Sequence, residues 1–197
     1  MREVIYIGSA DEHVYSFDCN TGELIWRSGG EGGFGSTPIY HNGVVYIGGW
    51  DGNVYAINAH TGKQIWKYKT GGDIESSPCI ANDTVYIGST DNVLYALDLN
   101  GKEKWAATTG YKIESTPLAI NGLIIIGSED GHIYAIDDKG DEAWKVNTDD
   151  EVRASAIAHD GFIYIGSSNK LLYKLNESGR TIWTAGLHAP TDSTPTI

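Results

Sequence analysis

The stretch "TGKQIW", Thr61 to Trp66, is nearly repeated four more times. "TGELIW" ends at Trp26, "NGKEKW" at Trp105, "KGDEAW" at Trp144 and "SGRTIW" at Trp183. Five of the six tryptophans therefore stand in one motif, spaced 40, 39, 39 and 39 residues apart. Two further series keep the same step. Gly8, Gly48, Gly88, Gly127 and Gly166 each close an apolar run such as "VVYIG" or "LIIIG". Tyr15, Tyr55, Tyr95, Tyr134 and Tyr173 each follow that glycine by seven residues. Three registers with one period define a repeat, and every repeat residue must be read against its four counterparts.

One unit, Ser76 to Thr109, shows what the repeat builds. "SSPCIA" is a short strand ending at the turn "NDT". "VYIGST" is a second strand, and its unbroken apolar run predicts burial on both faces. The turn "TDN" leads to "VLYALD", which alternates as a half-buried strand does. The turn "LNG" leads to a fourth strand, "KEKWAATT". Turns rich in Asn, Asp and Gly join antiparallel neighbours. Four strands in about 40 residues make a propeller blade, and no stretch carries a helical period. The fold class is all-β, one β-propeller domain over residues 1–197, of four-stranded antiparallel blades in five repeats.

The tryptophan lies on the outermost strand of its blade, where little else covers the sheet. Its flat ring can lie over the neighbouring blade, and its indole N–H can bond that blade's backbone. Burying one such ring stabilises by about 3–5 kcal/mol, judged by truncation to Ala. Trp26, Trp66, Trp105, Trp144 and Trp183 are thus expected to staple each blade to the next. The whole pattern, "SSP…VYIGS.D…YALD…TGK..W", resembles the PQQ-like repeat, or tryptophan-docking motif, over essentially the entire chain. That family includes quinoprotein dehydrogenases, the lipoprotein propeller of outer-membrane assembly, and propellers with no known chemistry.

"STPTI" (Ser193 to Ile197) aligns with "STPIY" (Ser36 to Tyr40), whereas the first unit lacks that strand. The expectation is a ring closed by pairing the N- and C-terminal strands, which would remove two exposed edges. The resemblance implies an alternative, because the family usually builds seven or eight blades: an open arc of a larger propeller.

Composition narrows the partners. Lys and Arg number 14 against 26 Asp and Glu, a net charge of −12, and the basic residues form no run. Nucleic acid and anionic membrane surfaces both require clustered positive charge, so neither is an expected partner. No apolar segment reaches the length of a membrane span, and "MREVIYIGS" does not read as a signal peptide. Direct membrane insertion is not expected, and only the family resemblance implies a cell-envelope location. Cys19 and Cys79 fall at different points of the repeat and read as small buried hydrophobes.

Because structure explains what every unit shares, function is sought where units differ. The turn column Asp11, Asp51, Asp91, Asp130 and Asn169 is read as holding backbone N–H groups, not as paired acids. "GGEGGFG" (Gly29 to Gly35) precedes a strand, not a helix, and so is read as a flexible connection rather than a phosphate loop. Two departures remain. Trp50 stands in a turn where the other units have Ala10, Thr90, Glu129 and Ser168. It is either local packing or a binding anchor. The column before each "STP" reads Gly35, Glu75, Glu114, Arg153 and Asp192. It enters the innermost strand, so Glu75, Glu114, Arg153 and Asp192 are candidates for a polar ligand or cation site at one mouth of the central channel.

Quinoprotein dehydrogenases would imply pyrroloquinoline quinone with Ca²⁺, adjacent cysteines and an Asp base. The chain has no adjacent cysteines, no matching ligand set and no HxH or CxxC spacing. The scaffold matches and the catalytic additions do not, and fold alone carries no chemistry. The expected function is a non-catalytic propeller scaffold that presents its faces and channel to a protein or ligand, without a cofactor. The alternative is a quinone-dependent dehydrogenase or a relative of one.

Overall fold

The computed structural model describes residues 3–197. Every regular element in them is a β-strand, and the strands fall into five antiparallel sheets taken in chain order. The first sheet holds β1 (Val4–Gly8), β2 (His13–Asp18) and β3 (Leu24–Gly29). The second holds β4 (Ile39–His41), β5 (Val44–Gly48), β6 (Asn53–Asn58) and β7 (Gln64–Lys69). The third holds β8 (Cys79–Ala81), β9 (Thr84–Gly88), β10 (Val93–Asp98) and β11 (Glu103–Thr108). The fourth holds β12 (Leu118–Ile120), β13 (Leu123–Ser128), β14 (His132–Ile136) and β15 (Glu142–Asn147). The fifth holds β16 (Ile157–His159), β17 (Phe162–Ser167), β18 (Leu171–Asn176) and β19 (Thr181–Gly186).

Each sheet is a meander, and consecutive strands pair. The short first strands β4, β8, β12 and β16 lie beside one another in succession, which makes them the inner edge of the assembly. Burial follows the pattern read from sequence. The "TVYIG" strand β9 is buried at every residue, whereas β10 alternates towards its ends. The fourth strands β7, β11 and β15 are largely exposed and carry the tryptophans.

The docking role of the tryptophans is met at four junctions. Trp26 Nε1 donates to the Ala59 carbonyl at 2.9 Å and Trp66 to that of Leu99 at 2.9 Å. Trp105 donates to Asp138 at 3.0 Å and Trp144 to Glu177 at 2.8 Å. Each acceptor belongs to the turn between the third and fourth strands of the next sheet. The ring lies flat on that turn's glycine. A Cβ on Gly62 would come within 2.8 Å of Trp26, and one on Gly101 within 2.6 Å of Trp66. Both glycines have φ near +70 to +82°, so the turn conformation and the ring contact call for the same residue.

A second contact fixes each junction from inside. Gly48 lies under Ile74, where a Cβ would stand 2.1 Å from the Ile74 Cγ2, and Gly88 lies under Ile113 at 2.3 Å in the same way. The chain leaving one sheet thus crosses that sheet's second strand before entering the next. Four hydrophobic clusters result, one between each pair of consecutive sheets. The serine of "STP" secures the inner strand: Ser36 Oγ donates to the Gly48 carbonyl at 2.9 Å and accepts the Gly48 N–H at 3.0 Å.

The expected closed ring does not form. The first sheet has three strands, and Ser193 to Ile197 adopt no strand and add nothing to it. Both outward faces are open: Ile5 and Ile7 on β1 are 49% and 52% exposed, and Trp183 on β19 is 40% exposed. The physical reason lies in the junctions. All four use the same contacts, so each sheet turns from the last by a similar step, and four such steps leave the first and fifth sheets apart. A second expectation also changes. Cys19 is exposed rather than buried, since it stands in the turn of the uncovered first sheet, while Cys79 on β8 is partly buried.

Candidate functional site

Three of the four charged residues singled out at the inner rim converge. Glu75, Glu114 and Arg153 lead into β8, β12 and the segment before β16, the strands that line the inner edge. Arg153 is the hub. Its Nε lies 2.7 Å from Glu129 Oε1 and 3.7 Å from Glu114 Oε2, and its Nη2 lies 2.8 Å from Glu151 Oε2. Glu129 is nearly enclosed, with its side chain 5% exposed against 35% for Arg153. Burial pushes the Glu114 carboxyl up, and the charge of Glu129 adds to that, while Arg153 pulls the other way and Glu75 adds a smaller push. The Arg153 guanidinium is held more firmly protonated, first by its bond to Glu129. Asp192 is exposed on the C-terminal segment, and among the described residues no ion pair joins it to this group.

Sequence reasoning passed over Glu129 and Glu151. In the sequence Glu129 stands only as one member of the Trp50 column. The signal was present: both columns depart from repetition in the same unit, and a charge at each of two variable positions marks a pair. The missing information was that the turn after the second strand reaches the segment entering the next sheet.

Trp50, in the same turn column two units earlier, lies instead against the segment that enters its own sheet. Its N–H donates to the Gly33 carbonyl at 2.8 Å. Its indole lies across Gly33 and Gly35, where added Cβ atoms would stand 2.5 and 2.7 Å from the ring. The ring is 38% exposed. "GGEGGFG" is therefore a packed seat rather than a loose connection, with Phe34 buried at 4% exposure beneath it. Its glycines allow close approach by a ring.

The turn carboxylates hold structure, as their repetition suggested. Asp130 Oδ2 accepts the Tyr134 hydroxyl at 2.6 Å and the Gly110 N–H at 2.7 Å, and Oδ1 accepts the His132 N–H at 3.0 Å. Asp91 does the same with Tyr95 and Gly71. Gly71 and Gly110 each follow the last strand of the preceding sheet, so the carboxylates also bind sheet to sheet. Among the described residues, no group of three or more His, Cys, Asp or Glu side chains is placed to hold a metal ion. No helix among them is long and apolar enough to cross a membrane.

No curated protein sequence matches the chain. The crystal structure of BamB from Moraxella catarrhalis superposes with a TM-score of 0.83 at 20% identity, covering 98% of this chain and 64% of that one. The computationally designed Ika8 protein superposes with a TM-score of 0.88 at 14% identity, covering 100% of this chain and 63% of that one. The chain thus spans less than two thirds of either, and at these identities the likeness is one of fold. The sequence itself matches the family described as outer membrane protein assembly factor BamB over residues 10–129 and 129–197. With its five sheets and docked tryptophans, the chain belongs to the BamB family of β-propeller proteins.

Proposed function

We propose that the chain is a non-catalytic propeller scaffold of the cell envelope that presents its inner rim to a protein partner. The observation that carries this reading is the family match across nearly the whole sequence. The rim supports it. Glu114, Glu129 and Glu151 pair with the single guanidinium of Arg153 and Glu75 adds its charge beside Glu114, so carboxylates are in excess and favour a partner offering basic side chains. Trp50, half-exposed on a rigid seat, supplies an aromatic anchor of the kind that dominates interfaces.

A quinone fits these residues poorly. Pyrroloquinoline quinone is a tricarboxylate, and the rim repels anions because its guanidinium is already engaged by three carboxylates. Cys19 and Cys79 are free and stand in different sheets. The scaffold reading therefore takes no cofactor.

Photo-crosslinking from position 50 or 75 in intact cell envelopes tests the proposal. The expected result is a specific crosslink to an outer-membrane assembly protein that disappears when Glu75 and Glu114 are both changed to Gln. Saturable spectral changes on titration with the quinone and Ca²⁺, with no crosslinked protein, would overturn it.

A further inference from the structure

We propose that the cavity between the third and fourth sheets binds a small aromatic amine, its ring stacked on Tyr86 and its ammonium held between Asn82 and Asp138. The site lies at the strand ends away from the Arg153 cluster, and it does not rest on the function proposed above.

The cavity measures about 320 Å³. Tyr86, Ala119 and Ile124 form its covered apolar wall, and Asn82, Asn121 and Asp138 form its exposed mouth. A cavity of about 150 Å³ already holds a benzene ring.

The other junctions explain why space is left at this one. Ala119 is the counterpart of Tyr40 and Ile80, and Asp138 is the counterpart of Ala59 and Leu99. At the second junction Ile80 and Leu99 pack into the cluster around Tyr46 and Val85. At the first junction Tyr6, the counterpart of Tyr86, meets two rings. Trp26 lies 5.7 Å from it at 33°, and Tyr40 stacks on it at 6.1 Å and 4°. Tyr86 keeps the first of these contacts, with Trp105 at 5.7 Å and 44°. The second is missing, because Ala119 supplies only a methyl group. A ligand ring thus takes a place that the same fold fills with a ring elsewhere.

The mouth offers a second comparison. Across the fourth junction the Asn121 amide donates to the Glu177 carboxylate. The equivalent pair across the third junction is Asn82 and Asp138, shorter by one methylene. Among the described residues no hydrogen bond joins these two side chains, and both border the cavity. A bound ammonium supplies here the donor that the Asn121 amide supplies at the next junction. Burial raises the Tyr86 pKa most, a bond with Thr84 opposes it, and Cys79 and Asp138 add smaller pushes. The Asp138 carboxylate is therefore close enough to act on the ring that forms the wall. Lys104, on the same flank, is engaged, since its Nζ donates to the Thr84 hydroxyl at 2.6 Å. With a net charge of −12 over the chain, a cationic ligand is favoured over an anionic one.

The probe is 2-phenylethylamine, followed by calorimetry and by amide and indole N–H resonances. Saturable binding with a millimolar dissociation constant is expected for so small a ligand. The Trp105 indole N–H should move most, because it donates to the Asp138 carbonyl at 3.0 Å and its ring packs on Tyr86. Ala119→Ile restores the side chain of Ile80 and should abolish binding, whereas Ala158→Ile, the same change at the fourth junction, should not. Asp138→Asn should weaken binding about 10-fold or more, while leaving the backbone carbonyl that Trp105 uses. 3-Phenylpropionate, of opposite charge, should bind more weakly by about the same factor. A tripeptide amide that begins with phenylalanine carries the same ring and ammonium. Tighter binding than that of phenylethylamine assigns the site to a peptide terminus, and weaker binding assigns it to a free amine. The proposal is overturned if phenylethylamine shows no saturable binding, or if Ala119→Ile or Asp138→Asn binds it as the parent does. It is also overturned if phenylpropionate binds as tightly as the amine, or if the shifts centre on another tryptophan.

Discussion

At the scale of single residues, counterparts in the repeat act as internal controls. Ser16 occupies the place of Ala56, Ala96 and Ala135, is fully buried, and its hydroxyl finds no partner. Ser16→Ala should raise stability by about 1 kcal/mol, read as a shifted urea midpoint with an unchanged slope. The tryptophans make a sharper comparison. Trp66→Ala should cost about 3–5 kcal/mol, because the ring and its bond to Leu99 are both lost. Trp183→Ala should cost clearly less, because its ring keeps a contact with Tyr164 but is 40% exposed and donates to no carbonyl among the described residues. Equal costs at the two positions would contradict an open fifth face. Glu114 offers a charge test. Its folded pKa is raised, so keeping it ionised opposes folding as pH rises through its titration. Glu114→Gln should therefore be mildly stabilising at neutral pH, within about 1 kcal/mol for a rim group, and neutral in acid.

At the scale of elements, the hairpin turns do more than reverse the chain. Burial raises the Asp130 carboxyl, but the bonds from Tyr134, Gly110 and His132 outweigh it and hold the pKa below the ordinary value. A depressed folded pKa contributes stability above the unfolded carboxylate's range, and that contribution is lost as pH falls through the folded value. Asp130→Asn should cost about 1–2 kcal/mol at neutral pH, with the gap to the parent chain narrowing in acid. Asn169 bonds Tyr173 at 2.7 Å, so an amide at this place is compatible with the turn. The glycine seat of Trp50 is a second element-scale device. Gly35→Ala places a methyl group 2.7 Å from the indole and must lift it. Trp50 emission should then shift to the red, while Gly186→Ala, with open space around it and an ordinary backbone, should leave the spectrum unchanged.

At the scale of the whole molecule, the sheets form a row in which each touches its neighbours along the chain. Stability in such rows is a sum of unit and interface terms, and end units have one interface instead of two. Amide hydrogen exchange should therefore be fastest in the first and fifth sheets and slowest in the third. β19, exposed at every residue, should exchange well before β11, its counterpart in the third sheet. Uniform protection across all five sheets would mean that the outer faces are covered in solution.

The repeat unit is written in the amino-acid sequence. A step of 39 or 40 residues set the blade, alternation set which strand faces are covered, and the repeated tryptophan set the docking partner one repeat on. These are local or nearest-neighbour properties, and each is written in a residue's own chemistry and spacing. Whether the first and fifth sheets meet became visible only in three dimensions, because closure depends on the accumulated angle between sheets, and no single residue encodes an angle. The tertiary structure also decided that Glu129 and Glu151 join Arg153 and Glu114 at the rim and that Asp192 does not. Those contacts cross from one repeat to the next, so side chains far apart in sequence become neighbours only once the sheets are set side by side.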